Sequence, residues 1–124
     1  MSSANGGERR PDPTTPHGSA LPYLTQYEEE GVWVVVVHGA FDHDSVPLLA
    51  SALQDAALTH ARVVVDAAGM TFADSSVLNV LLNFHHGRRL RVARPAHQFH
   101  RVLELTGADK VLDVRSTVQD AIAP

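Results

Sequence analysis

Two short polar segments of this sequence contain both carboxylates and hydroxyl groups. Carboxylates can exchange protons, and serine hydroxyls can accept a phosphoryl group. Asp42 lies in the first segment, and in the second Asp74 is followed directly by Ser75 and Ser76. Two carboxylates could act as acid and base in a small hydrolase, whereas a serine where a helix begins could cap that helix or accept a phosphoryl group. Because no nucleophile or pocket signature accompanies the aspartates, a hydrolase is the weaker hypothesis.

Both segments are expected at one edge of a β-sheet, because each follows a buried strand. The runs Val32–His38 and Arg62–Asp66 are apolar on both alternating faces, which is typical of strands buried on two sides. Right-handed strand–helix–strand connections place the loops that follow parallel strands at the same edge. The spacing therefore predicts that Asp42 lies near Asp74 and Ser75 in the folded chain.

Strand and helix patterns alternate from Leu21 onward and indicate one α/β domain over residues 21–124. Loops are predicted at residues 39–44 and 67–74, the second with Gly69 at its turn. The other elements are predicted, in order, as a strand at 21–27, a helix from Ser45 to about Leu58, a helix from Ser75 or Ser76 to Gly87, a strand at 90–93, a helix from Pro95 to Thr106, a strand or turn at 111–112 and a helix capped by Ser116. This order predicts a mixed sheet of four to five strands with about four helices.

Length and composition exclude several classes of protein. The chain has 124 residues, enough for one domain with a core, and it has no cysteine, which excludes disulfides and thiolate chemistry. Residues 1–20 are rich in Pro, Gly and small polar residues, so a flexible tail without a secretory signal is expected there. With a net charge of −4 and no long apolar run, we expect a cytoplasmic protein that binds neither nucleic acid nor membrane.

Histidines and arginines offer two further hypotheses. The histidine clusters, His85-His86 and His97-x-x-His100, have no acidic ligands spaced with them for zinc, so neither a metal site nor a cofactor is expected. Residues 85–101 carry five arginines and no acidic residue. This basic stretch is interpreted as a solvated face, and the functional alternative is a docking surface for an acidic partner.

Three motifs resemble the signatures of anti-sigma-factor antagonists, the STAS-domain family. They are GAFDHDSVPLL, VVVDAAGMTFADSSVLNVLL and RVLELTGADKVLDV, which follow one another in the family's order and cover about residues 22–122. The resemblance implies a small α/β domain that is not an enzyme. It also implies that the domain binds an anti-sigma factor, often a serine kinase, and thereby frees a sigma factor.

The resemblance further implies a phosphorylation site at Ser75, the first serine after the aspartate, whose modification would end binding. Asp42, Asp74, Ser75, Ser76 and Val77 are the partner-binding residues that it implies. Val77 stands where the family has glycine, and a β-branched side chain there is predicted to hinder the partner's approach. The helix after Ser75 is also expected to be shorter than the family's. The alternative function is an interaction module of a larger regulatory complex that is never phosphorylated.

Overall fold

The alternation of strands and helices expected from the sequence is confirmed by a computed structural model, which describes residues 21–85 and 89–124. The tail expected at residues 1–20 lies outside the described residues. In chain order the elements are β1 (Tyr23–Glu29), β2 (Val32–Phe41), α1 (Val46–Ala57), β3 (Arg62–Ala73), α2 (Ser75–His85), β4 (Arg89–Ala93), α3 (His97–Thr106), a 3₁₀ turn (Ala108–Lys110), β5 (Asp113–Arg115) and α4 (Val118–Ile122). No helix in these two ranges is long and apolar enough to cross a bilayer.

The five strands form one mixed sheet in the order β1-β2-β3-β4-β5. β1 and β2 run antiparallel and are joined by a tight turn in which Glu30 and Gly31 have φ angles of 54° and 79°. The strands from β2 to β5 are parallel, and the intervening helices connect them. Five strands and four α-helices within the described residues agree with the expected α/β domain.

The two faces of the sheet bury different cores, because successive strand residues point to opposite sides. Val63 and Val65 of β3 belong to the larger core, which β3 shares with α1, α2 and α3. Val64, between them, belongs to a smaller core that includes Ala121 and Ile122 of α4. This division accounts for the unbroken apolar runs of β2 and β3, which are covered on both sides.

β3 continues through residues 67–73, where a loop was expected, and that prediction was wrong. Two register shifts against β2 give β3 an additional residue each time, and so the strand bends without ending. Gly69 makes no turn, because it pairs with His38 within the sheet. A Cβ atom at this position would lie 3.0 Å from the carbonyl oxygen of Val37, so glycine accommodates this close approach. β2 likewise extends to Phe41, beyond the expected boundary at His38.

The C-terminal boundaries also differ from expectation in detail. α3 ends at Thr106, as predicted, and Gly107 follows it as the C-cap in a left-handed conformation with φ of 78°. The last strand occupies residues 113–115 and not 111–112. Thr117, not Ser116, caps α4, since its Oγ1 accepts a hydrogen bond from the backbone N–H of Asp120 at 3.0 Å.

Two arginines of the basic stretch 85–101 are engaged within the fold. Arg91 binds Asp113 through an Nε–Oδ2 contact of 3.1 Å. Arg94 pairs with both carboxylate oxygens of Asp66 at 2.9 Å, and this pairing raises the pKa of the Arg94 guanidinium. Asp66 is almost fully buried, so the pair joins β3 to the end of β4. Neither arginine is therefore a free charge on a continuous basic surface.

Candidate functional site

The ends of β2 and β3 form the centre of the candidate site. Phe41 and Ala73, the last residues of these strands, are paired in the sheet. Asp42 and Asp74 follow directly at the same edge. The predicted proximity of the two acidic segments is therefore confirmed, and it results from the parallel pairing of β2 with β3.

The Asp42 carboxylate organises the loop before α1. Its Oδ1 atom accepts hydrogen bonds from the backbone N–H of Asp44 at 3.0 Å and of Ser45 at 3.2 Å. The Ser45 hydroxyl also donates to this oxygen at 3.1 Å, and its Oγ accepts from the Asp42 N–H at 2.9 Å. Ser45 occupies the N-cap position of α1 as expected, but its side chain binds back to Asp42 and makes no capping hydrogen bond.

These hydrogen bonds hold the pKa of Asp42 below its ordinary value of 3.8, and the largest contribution comes from the Ser45 backbone N–H. The ionised carboxylate is the form that the fold favours. Its contribution to stability is therefore complete above the ordinary pKa and is lost as the pH falls through the folded-state pKa. We expect the carboxyl carbon of Asp42, followed by NMR, to titrate with a midpoint below 3.8, and Ser45→Ala to raise that midpoint. A wild-type midpoint above 3.8 would contradict this assignment of hydrogen bonds.

Asp74 caps α2, and the earlier expectation that a serine does so is corrected. Its Oδ1 atom accepts a hydrogen bond from the backbone N–H of Ser76 at 2.9 Å and another from the Ser76 hydroxyl. Its carbonyl oxygen accepts from the N–H groups of Val77 and Leu78. An aspartate with these contacts is a typical N-cap, which also places negative charge at the positive end of the helix dipole.

The two serines therefore differ in what their hydroxyls can do. Ser76 is half-buried and its hydroxyl is bound to Asp74. Ser75 is exposed as the first residue of α2, and within the described ranges no side chain or backbone group binds its hydroxyl. Of the two hydroxyls at this helix terminus, that of Ser75 is the one available to an incoming enzyme.

Val77 faces the core, which corrects the expectation that its side chain hinders a partner. It is 0% exposed and packs in the larger core together with Leu81 and Phe84 of the same helix. A residue three or four positions away along a helix lies on the same face, and this face is the buried one. The valine therefore anchors α2 beneath Ser75 and offers no side chain to the surface.

Removing the Val77 side chain is expected to destabilise the domain. Val77→Gly deletes buried methyl groups and places glycine in a helix, which together cost about 3 kcal/mol and lower the melting temperature by roughly 10 °C or more. Asn79→Gly, at an exposed position of the same helix, is the matched control for the backbone effect. Equal melting temperatures for the two variants, measured by circular dichroism, would show that Val77 contributes no packing.

Sequence reasoning missed Gln98, which contacts the site from α3. Its Oε1 atom accepts a hydrogen bond from the backbone N–H of Ala73 at 3.0 Å, and its Nε2 donates to the Ala73 carbonyl oxygen at 3.2 Å. Both contacts immediately precede Asp74 along the chain. Nothing in the spacing of the sequence indicates this contact, because it depends on where α3 packs against β3.

The site holds carboxylates and hydroxyls whose arrangement suits recognition. The carboxylate of Asp42 is bonded to its own loop and that of Asp74 to the start of α2, so both act on local backbone structure. Among the residues that the structure describes, no three His, Asp or Glu side chains are grouped so that they could bind a metal ion. The chemistry that this edge offers is an exposed serine hydroxyl beside Asp74, at the edge of the sheet that also holds the Asp42 loop.

Comparisons with known proteins give a consistent result. The family model described as "Mlab, STAS domain" matches residues 25–114. The crystal structure of an anti-sigma factor antagonist from Mycobacterium paratuberculosis is 26% identical and has a TM-score of 0.74, with 87% of this chain and 94% of that chain covered. No protein with a curated description matches the chain.

Two structures of SpoIIAA share the fold at lower identity. The unphosphorylated form of this anti-sigma factor antagonist is 17% identical with a TM-score of 0.67, and 81% of this chain and 93% of that chain are covered. The phosphorylated form, described as a Bacillus cell fate determinant, is 17% identical with a TM-score of 0.62 and coverages of 81% and 96%. The mixed five-stranded sheet with its helices is thus the fold of solved anti-sigma factor antagonists.

Proposed function

Because this chain belongs to the STAS-domain family, we propose that it is an anti-sigma-factor antagonist, a cytoplasmic binding protein whose partner is an anti-sigma factor with serine kinase activity. The unphosphorylated chain binds this partner and frees a sigma factor, and phosphorylation of Ser75 ends the binding. The observation that carries the proposal is the exposed hydroxyl of Ser75 where α2 begins, at the sheet edge that also holds Asp42.

Similarity to relatives supports the general function. The mycobacterial antagonist is alike over most of both chains, and the family model spans the region from β1 to β5. SpoIIAA, which shares the fold, has been solved with and without phosphate, so this architecture is compatible with the modification. In our proposal the chain has no catalytic role of its own, since the phosphoryl donor and the catalytic groups come from the partner.

The charge of a phosphoserine would act in opposite ways on the fold and on the complex. A phosphate carries about −1.5 to −2 charges, which a helix N-terminus accommodates well, and the fold should therefore be retained. In a closed interface, the same charge would be desolvated near the carboxylates of Asp42 and Asp74. An unpaired buried charge costs about 3–5 kcal/mol, which corresponds to a loss of affinity of roughly a hundredfold or more.

The proposed binding surface consists of the exposed part of this edge, and its residues have different roles. Asp42 fixes the loop before α1 and Asp74 caps α2, each through backbone hydrogen bonds, while Ser75 presents the hydroxyl and Ser76 holds the Asp74 carboxylate in place. Val77 contributes from the core side by anchoring α2. The expectation from the sequence that the helix after Ser75 is shorter than the family's favours one alternative, in which the chain is an interaction module that is never phosphorylated.

Phosphate transfer to the chain tests the proposal directly. A tagged form would be used to isolate the binding partner from the cells that produce the protein, and the pair would be incubated with ATP. We expect the intact mass to increase by one phosphoryl group, and fragmentation to locate this group on Ser75. Ser76→Ala should still accept phosphate, whereas Ser75→Ala should not. A partner that binds without transferring phosphate to the wild-type chain would favour the unmodified interaction module.

A further inference from the structure

β3 extends past one of its two neighbours. β4 pairs with β3 only from Arg62 to Asp66, whereas β2 continues to pair with β3 as far as Ala73. On the β4 side, residues 67–73 therefore have no strand partner among the residues that the structure describes. Buried backbone groups of a strand require hydrogen-bond partners, so another part of the chain must supply them.

The start of α3 supplies partners at both ends of this segment. The backbone N–H of Ala96, which precedes α3, donates to the carbonyl oxygen of Ala67 at 3.3 Å. At the far end of the segment, the side-chain amide of Gln98 accepts from the N–H of Ala73 and donates to its carbonyl oxygen. A primary amide presents one acceptor and one donor, as a residue of a neighbouring strand does. Gln98 thus takes the place of the absent strand at Ala73.

The position of Ala73 gives this contact a consequence for Ser75. Ala73 is held by β2 on one side and by Gln98 on the other, and Asp74, the cap of α2, follows it directly. Gln98 is itself fixed, because the next residue, Phe99, is completely buried in the larger core. The direction in which Ser75 leaves the sheet is therefore set by a short chain of contacts that begins at Gln98.

We propose that Gln98 is a positioning residue for the phosphorylation of Ser75, acting through the backbone of Ala73 and Asp74. This inference rests on the proposed function, and it adds α3 to the elements that control the acceptor hydroxyl. Phosphoryl transfer requires the acceptor oxygen in line with the bond that breaks, and a small displacement of one reactant lowers the rate strongly. Loosening Ala73 would leave Ser75 exposed but less well placed.

Gln98→Met tests the proposal, because methionine preserves the length of the side chain and removes the amide. With ATP and the kinase partner isolated with the wild-type chain, we expect kcat for phosphate transfer to Ser75 to fall about tenfold, while KM for the protein substrate stays within about twofold. Gln119→Met, at an exposed position on α4, is the matched control and should retain wild-type kinetics. Wild-type kcat for Gln98→Met would overturn the positioning role.

Amide hydrogen exchange provides a measurement that needs no kinase. In Gln98→Met, the N–H of Ala73 should exchange about tenfold faster than in the wild type. Gln98→Glu is a second variant, because its ionised carboxylate can still accept from the Ala73 N–H but places an oxygen against the Ala73 carbonyl oxygen, whereas a protonated carboxyl can accept and donate as the amide does. Since the two oxygens repel each other, Ala73 protection relative to the wild type should be lower at neutral pH and recover below about pH 4. Unchanged exchange in both variants would overturn the contact itself.

The kinetic and exchange measurements distinguish a failure of the positioning role of Gln98 from a failure of the proposed function on which it rests. A wild-type chain that takes no phosphate from its partner would overturn the proposed function, together with the role of Gln98 in phosphorylation. A wild-type chain that is phosphorylated, with Gln98→Met phosphorylated equally fast, would overturn the inference alone. Faster exchange at Ala73 together with lower kcat supports both.

Discussion

Val65→Asp is expected to unfold the domain, whereas Val64→Asp, one residue earlier, is expected to be tolerated better. Val65 is 0% exposed in the larger core, which consists of apolar side chains from the sheet and from three helices. In the described part of the chain, the residues of this core are apolar and offer a carboxylate no cation, and an unpaired buried charge costs about 3–5 kcal/mol. The substitution also loses about 1.5–3 kcal/mol of valine burial, so the combined cost is comparable with the whole stability of a domain near the lower end of the usual range of about 5–15 kcal/mol.

Val64 points to the opposite face, where the surroundings differ. It lines a cavity of about 330 Å³ together with Arg62 and Arg91. The guanidinium of Arg62 donates to the carbonyl oxygens of Ile122 and Ala123 at 3.2 and 2.9 Å. Arg91 pairs with position 64 across the two strands, so a carboxylate there would have a guanidinium nearby. This attraction should offset part of the cost of burial, although Asp113, which lines the same cavity and binds Arg91, reduces the gain.

Urea denaturation followed by circular dichroism distinguishes the two variants. We expect no cooperative transition for Val65→Asp and a transition at reduced urea concentration for Val64→Asp. Leu58→Asp, at a position that is 83% exposed, is the control for introducing the charge, and its transition should remain close to that of the wild type. A Val65→Asp protein that melts like Val64→Asp would contradict the assignment of the two valines to different cores.

The contrast between adjacent valines illustrates which features of the fold could be predicted from the sequence. Periodicity alone predicted β2, β3 and the helices, because local patterns of apolar residues determine which segments bury a face. It could not predict that β3 continues past Asp66. The segment Ala67-Ala68-Gly69 has the composition of a turn and is kept in the sheet by register shifts against β2 and by contacts from α3.

The site was predictable where it depends on topology. Parallel strands with right-handed connections were sufficient to bring Asp42 next to Asp74. The contact of Gln98 with Ala73 was not predictable, because a side-chain amide that replaces a strand can be identified only when the position of α3 against the sheet is known. The burial of Val77 was predictable in principle, since its spacing from Leu81 and Phe84 marks the apolar face of the helix. Comparison with the family's glycine led instead to an expectation of exposure.

Substituting Ser75 is expected to have the largest effect on binding. Ser75→Asp should weaken binding to the anti-sigma factor by roughly a hundredfold, because a fixed negative charge would be buried in the interface near the carboxylates of Asp42 and Asp74. The variant should fold normally, since an acidic residue in the first turn of a helix interacts favourably with its dipole. Circular dichroism and the melting temperature should therefore match those of the wild type.

Two further variants show whether a loss of affinity in Ser75→Asp comes from the charge at this position. Ser75→Ala should bind as tightly as the unphosphorylated wild type, and binding should persist when ATP is added, because no acceptor hydroxyl remains. Asn79→Asp is the matched charge control, because it adds the same charge at an exposed position of α2 one turn after Ser75. It should bind more tightly than Ser75→Asp and keep the wild-type melting temperature. Calorimetric titration of each variant with the partner, with and without ATP, gives the affinities.

If Ser75→Asp and Ser75→Ala both bind like the wild type, Ser75 lies outside the interface and the chain is better described as an unmodified interaction module. If only Ser75→Asp binds weakly and ATP weakens only the wild type, the switch is located at this hydroxyl.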